Sequence, residues 1–203
     1  ISSNKKILDN STFLLAKSYS QSPCEVEPPA YARLLPHLRA VERAGDSIVE
    51  AAGEVILEQL SLAKHPWFSR LQEAIRVGCL CHDLGKANDG FQKMIRGLLD
   101  PRRQPVRHEL LSALLLADPN SPVRKWALSQ LGGDHDHSEA NRLLNCVIGA
   151  VGGHHLKLDE DWTRSALALR GGCGQSVKAI LDHADLRPLF NDLSYEPISF
   201  SLI

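Results

Sequence analysis

From Tyr31 onward, apolar residues recur at three- and four-residue steps, and this periodicity limits the fold more than any other feature of the chain. Leu34, Leu38 and Val41, then Ile48, Ala52, Val55, Ile56 and Leu60, stack on one side of a helix, because 3.6 residues complete a turn. Gly45-Asp46 is expected to divide two helices, with Asp46 capping the second and Glu50 in its following turn. A third is expected from Pro66 through Leu71, Ile75 and Leu80 to Leu84, with Gly85 as its stop. Residues 91–98, 106–116, 121–131 and 141–151 read as further helices, separated by the run 101–105, by the Gly132-Gly133 loop and by Gly152-Gly153. Weaker helices are expected at 159–169 and 175–184. Only 194–203 alternates enough to be a strand or an extended arm. Several helices without a convincing pair of strands predict an all-α domain.

The 203 residues suit one domain, read as 31–192, behind an irregular lead-in over 1–30 and before an extended segment at 193–203 leading to further domains. A chain opening on Ile1 is expected to be a piece of a longer protein. With 43% hydrophobic and 23% charged residues it is neither disordered nor collagen-like. No apolar run approaches the ~18–20 residues of a membrane span, and no signal peptide opens the chain. Five cysteines, an odd number, include Cys79 and Cys81 two residues apart in an apolar stretch. That pattern predicts reduced, unpaired thiols and a cytoplasmic location. A net charge of −1 argues against gripping nucleic acid by bulk electrostatics but leaves room for a local basic groove.

The residues that carry chemistry are Cys81-His82-Asp83-Leu84-Gly85-Lys86. On a continuous helix His82 and Asp83 point about 100° apart; at a helix end they can converge on one metal, or on two bridged by the carboxylate. Imidazole with carboxylate suits Mn, Fe, Ni, Co or Zn better than an oxygen-only cage does. His37, His108 and the pair His154-His155 fall within or at the ends of other expected helices. Burying a helical histidine without a partner is costly, so five of the nine histidines on separate helices suggest a shared purpose. His135 and His137 lie in a polar, glycine-led loop and read as solvated. His65 and His183 carry no special signal, and Trp67, Trp126 and Trp162 read as core or rim anchors.

HDLGKANDGFQKMI, RHELLSALLL and GAVGGHHLKL, with HLRAVERAG and LLAKS upstream, resemble the HD-superfamily nuclease domains of CRISPR type I interference systems over about residues 13–158. Such domains occur in the nuclease–helicase and in the large subunit of the type I-D complex; the DHDHSE loop and the HHLKL continuation lean toward the latter. The resemblance implies an all-α HD fold with its metal site in the bundle core. It implies metal ligation by His37, His82, Asp83, His108, His154 and His155 in two clusters with Asp83 between them. Two divalent ions (Mn, Ni, Co, Fe or Mg) would activate water and steady the leaving oxygen of a phosphodiester, with Lys86 placing a cation near the phosphate. Family members usually add a late aspartate, for which Asp182 and Asp185 are the candidates. Lys93, Arg96, Arg102, Arg103 and Arg107 form a basic strip that could follow a phosphate backbone. The implied function is a DNA nuclease of antiviral defence, preferring single strands delivered by a helicase or effector complex. A phosphohydrolase of small nucleotides and an inactive HD binding module are the alternatives.

Overall fold

The periodicity of the first half is realised as two long helices packed along each other, α1 (Leu34–Gln59) and α2 (Lys64–Cys81). The computed structural model describes residues 13–19, 27–100, 106–132, 137–155, 176–190 and 199–201. α1 runs unbroken through Gly45-Asp46, so the expected division is corrected to one helix. Gly45 is there for contact and does not interrupt the helix: a Cβ on it would lie 2.7 Å from Cys79 Sγ of α2. Gly53 meets Phe68 in the same way. The buried stripe of α1 is therefore Leu34, Leu38, Glu42, Gly45, Val49, Gly53 and Leu57, whereas Ile48, Val55 and Leu60 are about 60% exposed (60%, 58% and 61%). Glycine and glutamate at inward positions hid this face from a reading based on hydrophobicity.

Glu42 is the charged member of that stripe, 6% exposed. It accepts from Arg39 at 2.8 and 3.1 Å and from Arg76 of α2 at 2.9 Å. Burial pushes its carboxyl up, but the two guanidiniums outweigh burial and hold it below its ordinary 4.5. A depressed folded pKa stabilises above the unfolded value and is lost as pH falls through the folded one. Glu42→Gln is thus expected to cost about 1–2 kcal/mol at pH 7 and almost nothing well below pH 4.5, measurable by urea unfolding at both pH values. Equal costs at the two would remove the ion-pair explanation.

Four shorter helices complete the bundle: α3 (Asp89–Ile95), α4 (His108–Ala117), α5 (Pro122–Gln130) and α6 (His137–Gly153). The starts of α3 and α5 have a sequence reason. Asn88 Oδ1 accepts the Phe91 N–H at 2.8 Å, and Ser121 Oγ accepts from Val123 ahead of Pro122 in the first turn. α4 packs on α6 and on the 3-10 turn Leu84–Lys86, and α2 packs on α6. Leu34, Leu38, Leu80, Leu84, Leu111, Leu115 and Leu144 fill the common core. The fold is all-α. Trp126 packs on this core, edge to face with Phe190 at 5.2 Å.

The described part of the lead-in is irregular but not peripheral. Leu14, Leu15 and Ala16 are buried, Leu34 N donates to Leu14 O at 2.8 Å, and Ala16 N donates to Ala32 O at 2.7 Å. Gln92, fully buried, accepts from Leu15 N at 3.0 Å and donates to the Leu15 and Lys86 carbonyls at 2.9 Å each. It therefore ties the lead-in to the turn after α2.

The helix expected at 175–184 is corrected to a strand and a 3-10 turn. β1 (Ser176–Lys178) pairs antiparallel with β2 (Ser199–Ser201), Val177 opposite Phe200. Val177 and Ala179 are buried and Lys178 is exposed, a two-residue period. The Ile180 N–H reaches Ala87 O at 2.8 Å, anchoring the segment beside α3. The segment expected to be extended at 194–203 contributes β2. Helix 159–169, Trp162, His135, Arg102 and Arg103 lie outside the described residues. Among the described residues no helix is long and apolar enough to cross a membrane.

Candidate metal centre

α2 ends at Cys81, earlier than the sequence suggests. His82 still donates its N–H to Gly78 O at 2.9 Å, but Asp83 leaves helical geometry at φ −108°, ψ 8°. This departure lets adjacent side chains meet. His82 Nε2 lies 3.3 Å from Asp83 Oδ2. Asp83, 2% exposed, is the hub of the site. Its Oδ2 also faces His37 Nε2 of α1 at 2.9 Å and accepts from Lys86 Nζ at 2.6 Å. Its Oδ1 faces His108 Nε2 of α4 at 3.0 Å and His154 Nε2, just beyond α6, at 3.6 Å. Among the described residues, ligand atoms within 4.8 Å of one another form two groups, His37-His82-Asp83 and Asp83-His108-His154-His155, which share the aspartate.

The donors fit divalent cations. His82 Nδ1 and His154 Nδ1 each donate to a carbonyl, of Cys79 and Val151, at 2.7 Å. With Nδ1 carrying the proton, each Nε2 presents its lone pair to the centre. Asp83 Oδ1 and His108 Nε2 are buried without a hydrogen-bond partner, an arrangement that a shared cation would complete. Imidazoles with a single carboxylate are the donor set of borderline metals.

Charge is arranged to match. Burial pushes the Asp83 carboxyl up, but the imidazoles that face it, His108, His154, His37 and His82, outweigh burial and hold the group far below the usual carboxylate range. The Asp83 carboxylate beside it raises His154, whereas burial, with His154 and His108 beside it, lowers His155. Lys86, 8% exposed, stands 5.6 Å from the Phe91 ring centroid as well as against Asp83.

Other expected site residues fall elsewhere. Neither Asp182 nor Asp185 belongs to the two groups: Asp182 is exposed, and Asp185 Oδ2 accepts the Leu14 N–H at 2.7 Å. Arg96 is turned inward and bonds Gln92 at 2.5 and 3.0 Å and the Phe13 carbonyl at 2.6 Å, which engages its guanidinium within the fold. Lys93 pairs with Asp89 at 3.1 Å, and Arg107 pairs with Glu109.

Several supports were not assigned from the sequence. Glu109, 1% exposed, lies 3.4 Å from His108 Nδ1, behind the histidine. Ser112 Oγ accepts the Gly85 N–H at 2.7 Å. Their signals were present: a carboxylate next to His108, and a lone hydroxyl in the otherwise apolar end of α4. His183, read as without signal, is buried and accepts the Asp185 N–H at 3.2 Å.

A helical bundle that gathers histidines from separate helices around one buried aspartate, itself part of a His-Asp pair, is an HD domain. The chain belongs to the family described as Cas3, HD domain, whose profile matches residues 16–187. It is 33% identical over 175 residues, 85% of its length, to a putative CRISPR-associated nuclease/helicase Cas3 of Myxococcus xanthus (strain DK1622). The chain spans 21% of that relative. No solved structure matches. Of the two settings the sequence left open, the match is to the nuclease/helicase, against the leaning toward the large subunit.

Proposed function

We propose that this domain is a metal-dependent deoxyribonuclease of CRISPR interference, acting in the prokaryotic cytoplasm on single-stranded DNA delivered by a helicase or effector complex. The observation that carries this reading is the sharing of Asp83 by two ligand groups. His37 and His82 with Asp83 would hold one divalent cation, and His108, His154 and His155 with Asp83 a second. Such ions supply Lewis acidity and an acidified water to phosphodiester hydrolysis.

The chain's own residues do the rest. The Cys79 and Val151 carbonyls fix the tautomers of His82 and His154, so neither ring must reorient to bind. Lys86 brings a fixed ammonium beside the centre, where charge develops on the phosphate oxygens. Lys93 and Arg107, with Arg102 and Arg103, are what remains of the strip for the DNA backbone. The near-neutral charge suits a strand handed over by a partner better than one captured from bulk solution.

Incubating the chain with single-stranded and duplex DNA and with mononucleotides, in Mn, Ni, Co, Fe or Mg and in chelator, tests the proposal. Cleavage is expected only with metal, faster on single strands, and abolished by chelation. Cleavage that survives chelation, or hydrolysis confined to mononucleotides, would overturn it.

A further inference from the structure

Where α1, α2 and α6 meet, they leave an apolar cleft of about 430 Å³. Val41, Ile75, Cys146 and Ala150 contribute to its walls, and His82 and His154, the same side chains that surround Asp83, also line it. These two rings are therefore a wall shared by the cleft and the metal centre. Its size lies within the ~300–1,000 Å³ of small-molecule sites.

The walls offer almost no hydrogen-bonding groups. A ligand polar all round would lose its water there without compensation, whereas one with a broad apolar face gains by burial. Of the groups on a DNA strand within reach of a phosphate at Asp83, only the base has such faces. Duplex DNA hides those faces in its stack, and an unpaired strand exposes them. A protein segment lodged in the cleft would press on His82 and His154, the rings that face Asp83. The occupant favoured by this shared wall is a nucleobase.

We propose that the cleft is a nucleobase subsite, taking an unstacked base beside the phosphate held at the His/Asp cluster without reading which base it is. This rests on the nuclease reading and adds a physical origin for its single-strand preference. With almost no donors or acceptors on the walls to meet base edges, all four bases are accepted.

Cys146, exposed on α6 and on the cleft wall, reports occupancy directly. The Mn-loaded chain is pulsed with iodoacetamide and alkylation is read at the Cys146 peptide by mass spectrometry. The arms are no DNA, oligothymidylate, the same oligomer with abasic spacers in place of bases, and a duplex. Oligothymidylate is expected to slow the reaction about tenfold, and the abasic oligomer and duplex to leave it unchanged. Ala150→Trp, at an exposed helical position, is expected to abolish the roughly tenfold preference for base-bearing over abasic oligomer in binding. Equal protection by the abasic oligomer, or no protection by an oligomer that is cleaved, would overturn the subsite. Protection of Cys146 before DNA is added would give the cleft to protein and also overturn it. Absence of cleavage of any DNA in any metal would instead sink the nuclease reading, whatever the alkylation pattern.

Discussion

Asp83→Asn is expected to strip the chain of bound divalent metal and to lower metal-dependent hydrolysis by at least about 10³-fold. The size of the effect comes from sharing. Every other member of the two ligand groups is a histidine, so this carboxylate provides their only negative charge. The variant keeps the shape of the side chain but replaces one carboxylate oxygen with an amide nitrogen. It also leaves Lys86, whose Nζ lies 2.6 Å from Oδ2, with an uncompensated buried charge. Elemental analysis after dialysis, beside the rate of hydrolysis, reads both consequences. His37→Ala and His155→Ala each touch one group only, so each is expected to lower the metal content by one equivalent at most. An Asp83→Asn protein that keeps its metal and its rate would remove Asp83 from the centre.

Gly85→Ala is expected to cost at least about 3 kcal/mol of stability, a melting temperature lower by roughly 10 °C. The turn Leu84–Lys86 lies so close to the start of α4 that a Cβ on Gly85 would overlap the His108 carbonyl oxygen and lie 2.8 Å from Ser112 N. These are backbone atoms, so no side chain can rotate away, and the helix itself must move. Gly85 also donates to Ser112 Oγ at 2.7 Å and accepts from Asn88 Nδ2 at 2.5 Å, and displacement strains both bonds. Because α4 carries His108, metal affinity is expected to fall together with stability. Thermal unfolding and metal titration test the two together; a variant as stable as the parent would show that the contact yields easily. Ser112→Ala, which removes one hydrogen bond and no backbone contact, is expected to cost only about 1 kcal/mol.

Much of this site was legible before the fold was known, for reasons tied to particular residues. His82-Asp83 with Gly85 and Lys86 is a local motif whose members are brought together by the chain itself. His37, His108 and His154-His155 were found because histidines on several expected helices ask for a partner. The stripe of α1 was misread where Gly45, Gly53 and Glu42 replace apolar residues at inward positions. Their reasons lie on α2, in Cys79, Phe68 and Arg76, where local periodicity carries no signal. Arg96 was assigned to the basic strip by its neighbours in sequence, while its actual partners are Gln92 and the distant Phe13 carbonyl.

The sequence alone determined the helical class, most helix positions and the identity of the residues at the centre, because 3.6-residue periodicity, caps and a His-Asp motif are local properties. The tertiary structure decided how the Asp83 carboxylate divides its partners, with His37 and His82 on one oxygen and His108 and His154 on the other. It also decided that glycines serve as contact surfaces and that an apolar cleft between α1, α2 and α6 borders the centre at His82 and His154. Those outcomes depend on which helix faces meet and how closely, which is set by packing between segments far apart in the chain.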